Sequence, residues 1–171
     1  MTDKTLAATE DAGFDLLVIG AGPTGLACAI EAQKTGLSAV LVDKGCLCNS
    51  LFHYPAHMTF FTTSELLEIG GIPFPSPNAK PTRNEALEYY RQVAAYYRLD
   101  VRQYQRVERV ERIAGADGAF TAHTVDRFGR PGALSARKLA VATGYYDLPN
   151  LMDIPGEGLS KVHHYYDDPH P

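Results

Sequence analysis

Residues 20–25 spell Gly20-Ala21-Gly22-Pro23-Thr24-Gly25, a G-x-G-x-x-G run, and Asp43 closes the next apolar stretch. Each position has a chemical use. Gly20 permits a tight turn, Gly22 lets backbone approach a pyrophosphate, and Gly25 lets a following helix pack against a sheet. Pro23 and Thr24 sit where the helix would open, and free N–H groups at a helix start favour phosphate charge. The Asp43 carboxylate can accept hydrogen bonds from ribose hydroxyls. That chemistry is dinucleotide binding. FAD and NAD both carry an adenosine ribose, so these residues leave the choice between them open.

The motif has value only if the right elements hold it. Phe14 to Gly20 (FDLLVIG) is a nearly continuous apolar run, as expected for a strand buried on both faces of a parallel sheet. Leu26, Ala29, Ile30 and Ala32 then lie along one side of a predicted helix, which Gly36 ends. Ser38 to Asp43 is a second buried strand, completing a βαβ unit of right-handed winding. Residues 45–81 have no clear period and are rich in aromatics and prolines, with Ser64 predicted to cap a short helix through Ile69. Thr82 and Glu85 form a capping box before a helix that carries Leu87, Tyr90, Ala94 and Tyr97 on one stripe. Asp100 to Tyr104 reads as a third parallel strand. From Arg106 to Thr143 three strands with turns at Gly115–Gly118 and Phe128–Gly132 read as an antiparallel meander.

Composition removes several classes. The 171-residue chain is 45% hydrophobic with a formal net charge of −4, against the basic face that a nucleic-acid binder needs. No apolar run reaches the ~18 residues of a membrane span. The polar start MTDKTLAATEDAG, a lead-in over residues 1–13, is no signal peptide, so the cytoplasm is the expected compartment. Three cysteines do not make a disulfide framework. Cys46 and Cys48 lack the C-x-x-C spacing of a redox pair, and Cys28 is expected in the core of the first helix. His53 and His57 stand at i, i+4, but Pro55 between them argues against a helical metal site, and no metal is expected. Either histidine, or Tyr145 or Tyr146, is a candidate neighbour of a bound cofactor.

Further residues carry a family resemblance. Lys138–Gly144 (KLAVATG), with Pro149 and Ile154-Pro155-Gly156 after it, resembles the return turn of flavoproteins with two dinucleotide-binding domains. Lys44-Gly45, Asn49-Ser50, the block HYPAHMTFFTTSELLEIGGIPF at 53–74, ATGYYDLPN at 142–150 and the closing HHYYDDPHP resemble the YpdA family. These are thioredoxin-reductase-like flavoproteins described as bacilliredoxin or bacillithiol-disulfide reductases. The resemblance covers residues 14–171. It implies an α/β, Rossmann-like FAD-binding domain: a parallel sheet with helices and a three-stranded antiparallel insertion, incomplete at the C-terminus. It also implies a path of electrons from NADPH through FAD to a thiol–disulfide partner. Residues 20–25 with Asp43 and Lys44 would bind the FAD pyrophosphate and ribose. Asn49 and the Thr59–Phe61 segment would lie near the flavin end, and Ser50 would also contact the cofactor. Val107 would meet the adenine through its backbone, and Thr143 and Gly144 would close over the cofactor.

The sequence departs from the family pattern at two points. The family often carries a redox cysteine within a GPCG sequence; here Thr24 occupies that place, so no catalytic residue is assigned. The family also continues into an NADPH domain and returns to finish the FAD domain, whereas this sequence stops at Pro171 with no second G-x-G-x-x-G. The expectation is an FAD-binding portion, with NADPH use confined to a full-length relative. The alternatives are a non-catalytic nucleotide-binding module and an NAD-binding dehydrogenase domain. Expected partners are FAD and either a thiol–disulfide protein or a low-molecular-weight thiol. An uncovered sheet edge also favours pairing with a second copy of the chain.

Overall fold

The computed structural model describes residues 13–113, 119–166 and 168. Residues 1–12 of the expected 1–13 lead-in, the Gly115–Gly118 turn, and residues 167 and 169–171 of the closing HHYYDDPHP lie outside the described residues. The elements are β1 (Phe14–Ile19), α1 (Pro23–Lys34), β2 (Ala39–Val42), α2 (Asn49–Phe52), α3 (Arg83–Tyr96), β3 (Asp100–Arg102), β4 (Gln105–Arg112), β5 (Phe120–Asp126) and β6 (Pro131–Val141). They build one six-stranded sheet of order β3-β2-β1-β6-β5-β4. β3, β2, β1 and β6 run parallel, while β4, β5 and β6 form the antiparallel meander.

β6 belongs to both parts. Ala136 pairs with Phe120 in the meander and with Phe14 in the parallel layer. The expected insertion therefore shares its last strand with the parallel sheet instead of standing apart from it. The pleat shows why this works. Val18 and Leu41 enter a core cluster with α1 and α3, while Leu17, Val40 and Val42 enter a second cluster with Ala122, Leu134 and Ala136. Successive strand residues face opposite sides. Continuous apolar runs in β1 and β2 thus fill both cores, with helices covering one face and the meander the other.

α1 ends as expected. Gly36 takes a φ of +79°, and the Leu37 N–H donates to the Ala32 carbonyl at 3.0 Å. α3 opens on the expected capping box, with the Thr82 N–H donating to Glu85 at 2.8 Å and the Glu85 N–H to Thr82 Oγ1 at 3.3 Å. Other expectations shift. The third parallel strand ends at Arg102, because Tyr104 takes a φ of +57° and turns the chain into β4. The turn after Thr63 is a 3-10 helix, Ser64–Leu67, so Ser64 is its first residue and not its cap. α2 arises inside the stretch that has no sequence period, as a single turn too short to show one. Cys28 is half-buried against the helical core, not enclosed by it. Among the described residues, no helix is long and apolar enough to cross a membrane.

Candidate functional site

The sheet dictates where a site forms. The chain steps from β1 outward to β2 and β3, then returns to β6 on the other side of β1. A crevice opens at the carboxyl ends of strands where such an order reverses. Here that crevice lies between the β1–α1 turn and the end of β6. It measures about 470 Å³ and is lined by Gly22, Pro23 and Thr24 on one side and by Val141 to Tyr146 on the other. A recess of about 140 Å³ adjoins it, sharing Asp43, Asn49, Ser50 and Thr143 and reaching Lys44 and Val107.

Two glycines are required by the protein itself. A Cβ on Gly20, whose φ is +108°, would stand 2.3 Å from the Ala142 carbonyl oxygen. A Cβ on Gly25 would stand 2.0 Å from the Gly20 carbonyl oxygen. Gly22 is different. It has extended backbone, and a Cβ there would meet no described atom within 4 Å. No packing demands a glycine at that place. A helix leaves its first-turn N–H groups without intrahelical acceptors. Among the described residues, no side chain caps α1 and its first turn holds no carboxylate. Open space beside an uncapped, electropositive helix start fits a pyrophosphate.

Asp43 has a structural task. Its Oδ2 accepts the Ala21 N–H at 2.8 Å, and its Oδ1 accepts the Gly45 N–H at 2.9 Å. Each carboxylate oxygen retains a further lone pair, and Asp43 lines both the cleft and its recess. The neighbouring Lys44 ammonium pairs with Asp147 at 2.5 Å, which ties the segment after β6 to the end of β2. Tyr146 strengthens that strap by donating its hydroxyl to the His53 carbonyl at 3.0 Å.

The cleft and its recess bring together Gly20, Gly22, Pro23, Thr24, Asp43, Lys44, Asn49, Ser50, Val107, Thr143 and Gly144. Gly25 stands behind them in the first turn of α1, buried. Thr59 and Phe61 are not brought to the cleft. Thr59 bridges to Thr82 at the start of α3, and Phe61 is 92% exposed. The physical reason is that Phe60, not Phe61, packs on the core and pins this segment toward α3. Sequence reasoning missed Tyr54 and Cys48 as lining residues. The Tyr54 ring meets Tyr146 edge-on at 4.7 Å. Doubled tyrosines hinted at one such partner, but nothing in the local pattern marked the other.

Neither cysteine of the C-x-C pair is activated. Cys48 starts α2 with a φ of +55°, and burial pushes its thiol up to about 12. Burial also raises Cys46. Both therefore stay protonated near neutral pH. His57 is exposed and pairs with Asp168 at 3.5 Å. No group of metal-ligating side chains is present among the described residues.

A strand–glycine turn–helix cradle, with its crevice at the reversal point of an α/β sheet, defines a dinucleotide-binding fold. Residues 17–171 match the pyridine nucleotide-disulphide oxidoreductase family, and the chain belongs to that family. It is 42% identical to the bacilliredoxin reductase Bdr of Bacillus subtilis over 156 residues, which is 91% of this chain and 46% of that protein. The bacillithiol disulfide reductase Bdr (YpdA) of Bacillus cereus superposes with a TM-score of 0.89 at 44% identity, covering 94% of this chain and 48% of the other. A flavin-containing monooxygenase of Stenotrophomonas maltophilia is more distant, with a TM-score of 0.68, 28% identity, and coverage of 82% and 41%. The chain thus spans about half the length of these relatives.

Proposed function

We propose that this chain is the FAD-binding portion of a thioredoxin-reductase-like pyridine nucleotide–disulfide oxidoreductase. The observation that carries the reading is Gly22, a glycine beside open space at the uncapped start of α1. Bdr-type and flavin-containing relatives support a flavin dinucleotide over NAD.

The chain's own residues divide the work of binding. The first-turn N–H groups of α1 receive the pyrophosphate charge, and Asp43 orients the glycine turn while offering lone pairs to ribose. Val107 meets the adenine side of the recess. Thr143 and Gly144, held by the Lys44–Asp147 strap, close the opposite wall. When bound, FAD supplies the electron-carrying chemistry, and the protein's share is binding, orientation and electrostatics. No side chain here is assigned a catalytic role, since Thr24 holds the position of the family's proposed thiol and cannot form a disulfide.

In this reading residues 14–171 form one domain. NADPH use, and electron delivery to a low-molecular-weight thiol or a thiol–disulfide protein, belong to a full-length form acting in the cytoplasm. A second copy of the chain remains an expected partner.

The test is a titration of the purified chain with FAD and, separately, with NAD. Flavin absorbance near ~450 nm that travels with the protein through gel filtration supports the reading. Retention of NAD but not FAD assigns the cleft to a dehydrogenase-type cofactor and overturns it. Retention of neither also overturns it for this chain.

A further inference from the structure

A second hollow, of about 510 Å³, lies against the outer side of the adenosine recess and shares Lys44, Asn49 and Arg106 with it. Neither the glycine turn nor the segment after β6 lines it. In a chain of net charge −4, its wall gathers the cations Lys44, Arg106 and Arg127 around one carboxylate, Asp126.

That carboxylate is already committed. Its Oδ1 accepts the N–H groups of Phe128 at 2.8 Å and Arg130 at 2.9 Å, and its Oδ2 accepts Arg130 Nε at 2.7 Å. Lys44 and Arg106 lean on Asp147 and Glu108 in partly exposed pairs, which solvent screens and a stronger anion can displace. Arg127 makes no ion pair among the described residues. Its guanidinium lies instead between two rings, 5.3 Å from the Tyr104 centroid and 4.9 Å from the Phe128 centroid. Stacking on aromatic faces orients the guanidinium while its in-plane N–H edges stay available, the arrangement that suits a tetrahedral or planar oxyanion.

The ring that orients it is held at a conformational cost. Tyr104 is a non-glycine residue at a φ of +57°, and its N–H is tied to the Gly45 carbonyl at 2.9 Å. A residue in this region persists only where its surroundings over-determine it, and such residues gather at ligand clamps. A simple turn into β4 would have accepted glycine here. Tyrosine instead places a ring against Arg127.

We infer that this hollow, which adjoins the dinucleotide site and shares its Lys44 and Asn49 wall, is a phosphate-binding site of its own, with Arg127 as its recognition residue and Tyr104 as the residue that positions it. Its ligand class is a phosphate, either inorganic or carried by a small phosphorylated molecule such as a nucleoside monophosphate. The inference stands whether or not the cleft binds FAD.

The test is ¹⁵N-resolved NMR of the intact chain titrated with inorganic phosphate and, in a parallel arm, with AMP, against sodium chloride at matched ionic strength. Saturable shifts of the Tyr104 and Arg127 amides that chloride does not reproduce are expected. Arg127→Gln should weaken binding by about tenfold or more while leaving the spectrum folded. Tyr104→Gly, which suits the positive φ, should keep the turn and still weaken binding. Tighter binding of AMP than of phosphate that is lost in Arg127→Gln identifies a nucleotide as the source; equal binding identifies free phosphate; AMP shifts at Val107 that persist in Arg127→Gln report the dinucleotide recess and overturn the site. Shifts confined to Thr24 and Gly25, shifts that follow ionic strength, or binding unchanged in Arg127→Gln would each overturn the site, and the first would leave the dinucleotide reading intact.

Discussion

The Asp43 carboxylate accepts the backbone N–H of Ala21 at 2.8 Å, joining the end of β2 to the middle of the glycine turn. With the Gly45 N–H on its other oxygen, this one side chain holds two loops in register. Asp43→Asn sets an amide N–H₂ against one of those donors. Loss of charge-assisted bonds at a part-buried position should cost about 2 kcal/mol. Urea denaturation should show that loss, and FAD retention should fall with it. Unchanged stability would mean the two bonds carry no net weight.

Two glycines of the motif, Gly22 and Gly25, should separate by experiment. Gly25→Ala drives a methyl into the Gly20 carbonyl, which is backbone and cannot step aside. Overpacking of this kind costs about 1–3 kcal/mol, and thermal melting should register it. Gly22→Ala meets open space. Its melting temperature should stay near that of the parent protein, yet FAD should no longer co-elute. Equal stability losses in both variants would mean that Gly22 serves packing and not a ligand.

Cys48 makes a pH-dependent contribution. Its thiol is held at about 12, above the ordinary 9.0, chiefly because burial disfavours the thiolate. A value raised on folding gives stability that is fully present below the unfolded value and is lost as pH climbs from about 9 toward 12. Burial raises the Tyr90 phenol as well, so both groups act in the same direction. Denaturation midpoints should fall between about pH 8 and pH 10.5, with a shallower fall in Cys48→Ala. At neutral pH iodoacetamide should modify the half-exposed Cys28 and Cys46 before Cys48, as peptide mass mapping would reveal.

The core between the parallel layer and the meander depends on few side chains. Leu17 is fully buried there with Val40, Val42 and Leu134. Leu17→Ala should destabilise the fold by about 3 kcal/mol, and the recess near Val107 should loosen with it. Hydrogen exchange that rises in β4 and β5 but not in α3 is the expected signature. Uniform exchange across the chain would contradict two separate cores.

Much of this site was legible because its signals are local. A glycine turn, a capping box and a C-terminal helix glycine each act within a few residues, so spacing alone places Gly20, Thr82 and Gly36. Asn49 and Ser50 were reached through resemblance, not period, since α2 is a single turn. Thr59 and Phe61, expected toward the flavin, fall outside the lining of the cleft and its recess for a related reason. Whether Phe60 or Phe61 turns inward depends on α3 packing, and both residues read alike in the chain.

The sequence alone determined that a βαβ unit would present a phosphate-seeking helix start with a carboxylate at the next strand end. Those features rest on short-range sterics and hydrogen bonding. Only the tertiary structure decided what surrounds them. Ala136 joins the parallel layer to the antiparallel meander through one strand. Tyr54 reaches Tyr146 across the cleft. Arg127 comes to lie over Tyr104. Each of these relations spans many residues and is set by how buried faces close on one another, a constraint that no local spacing carries.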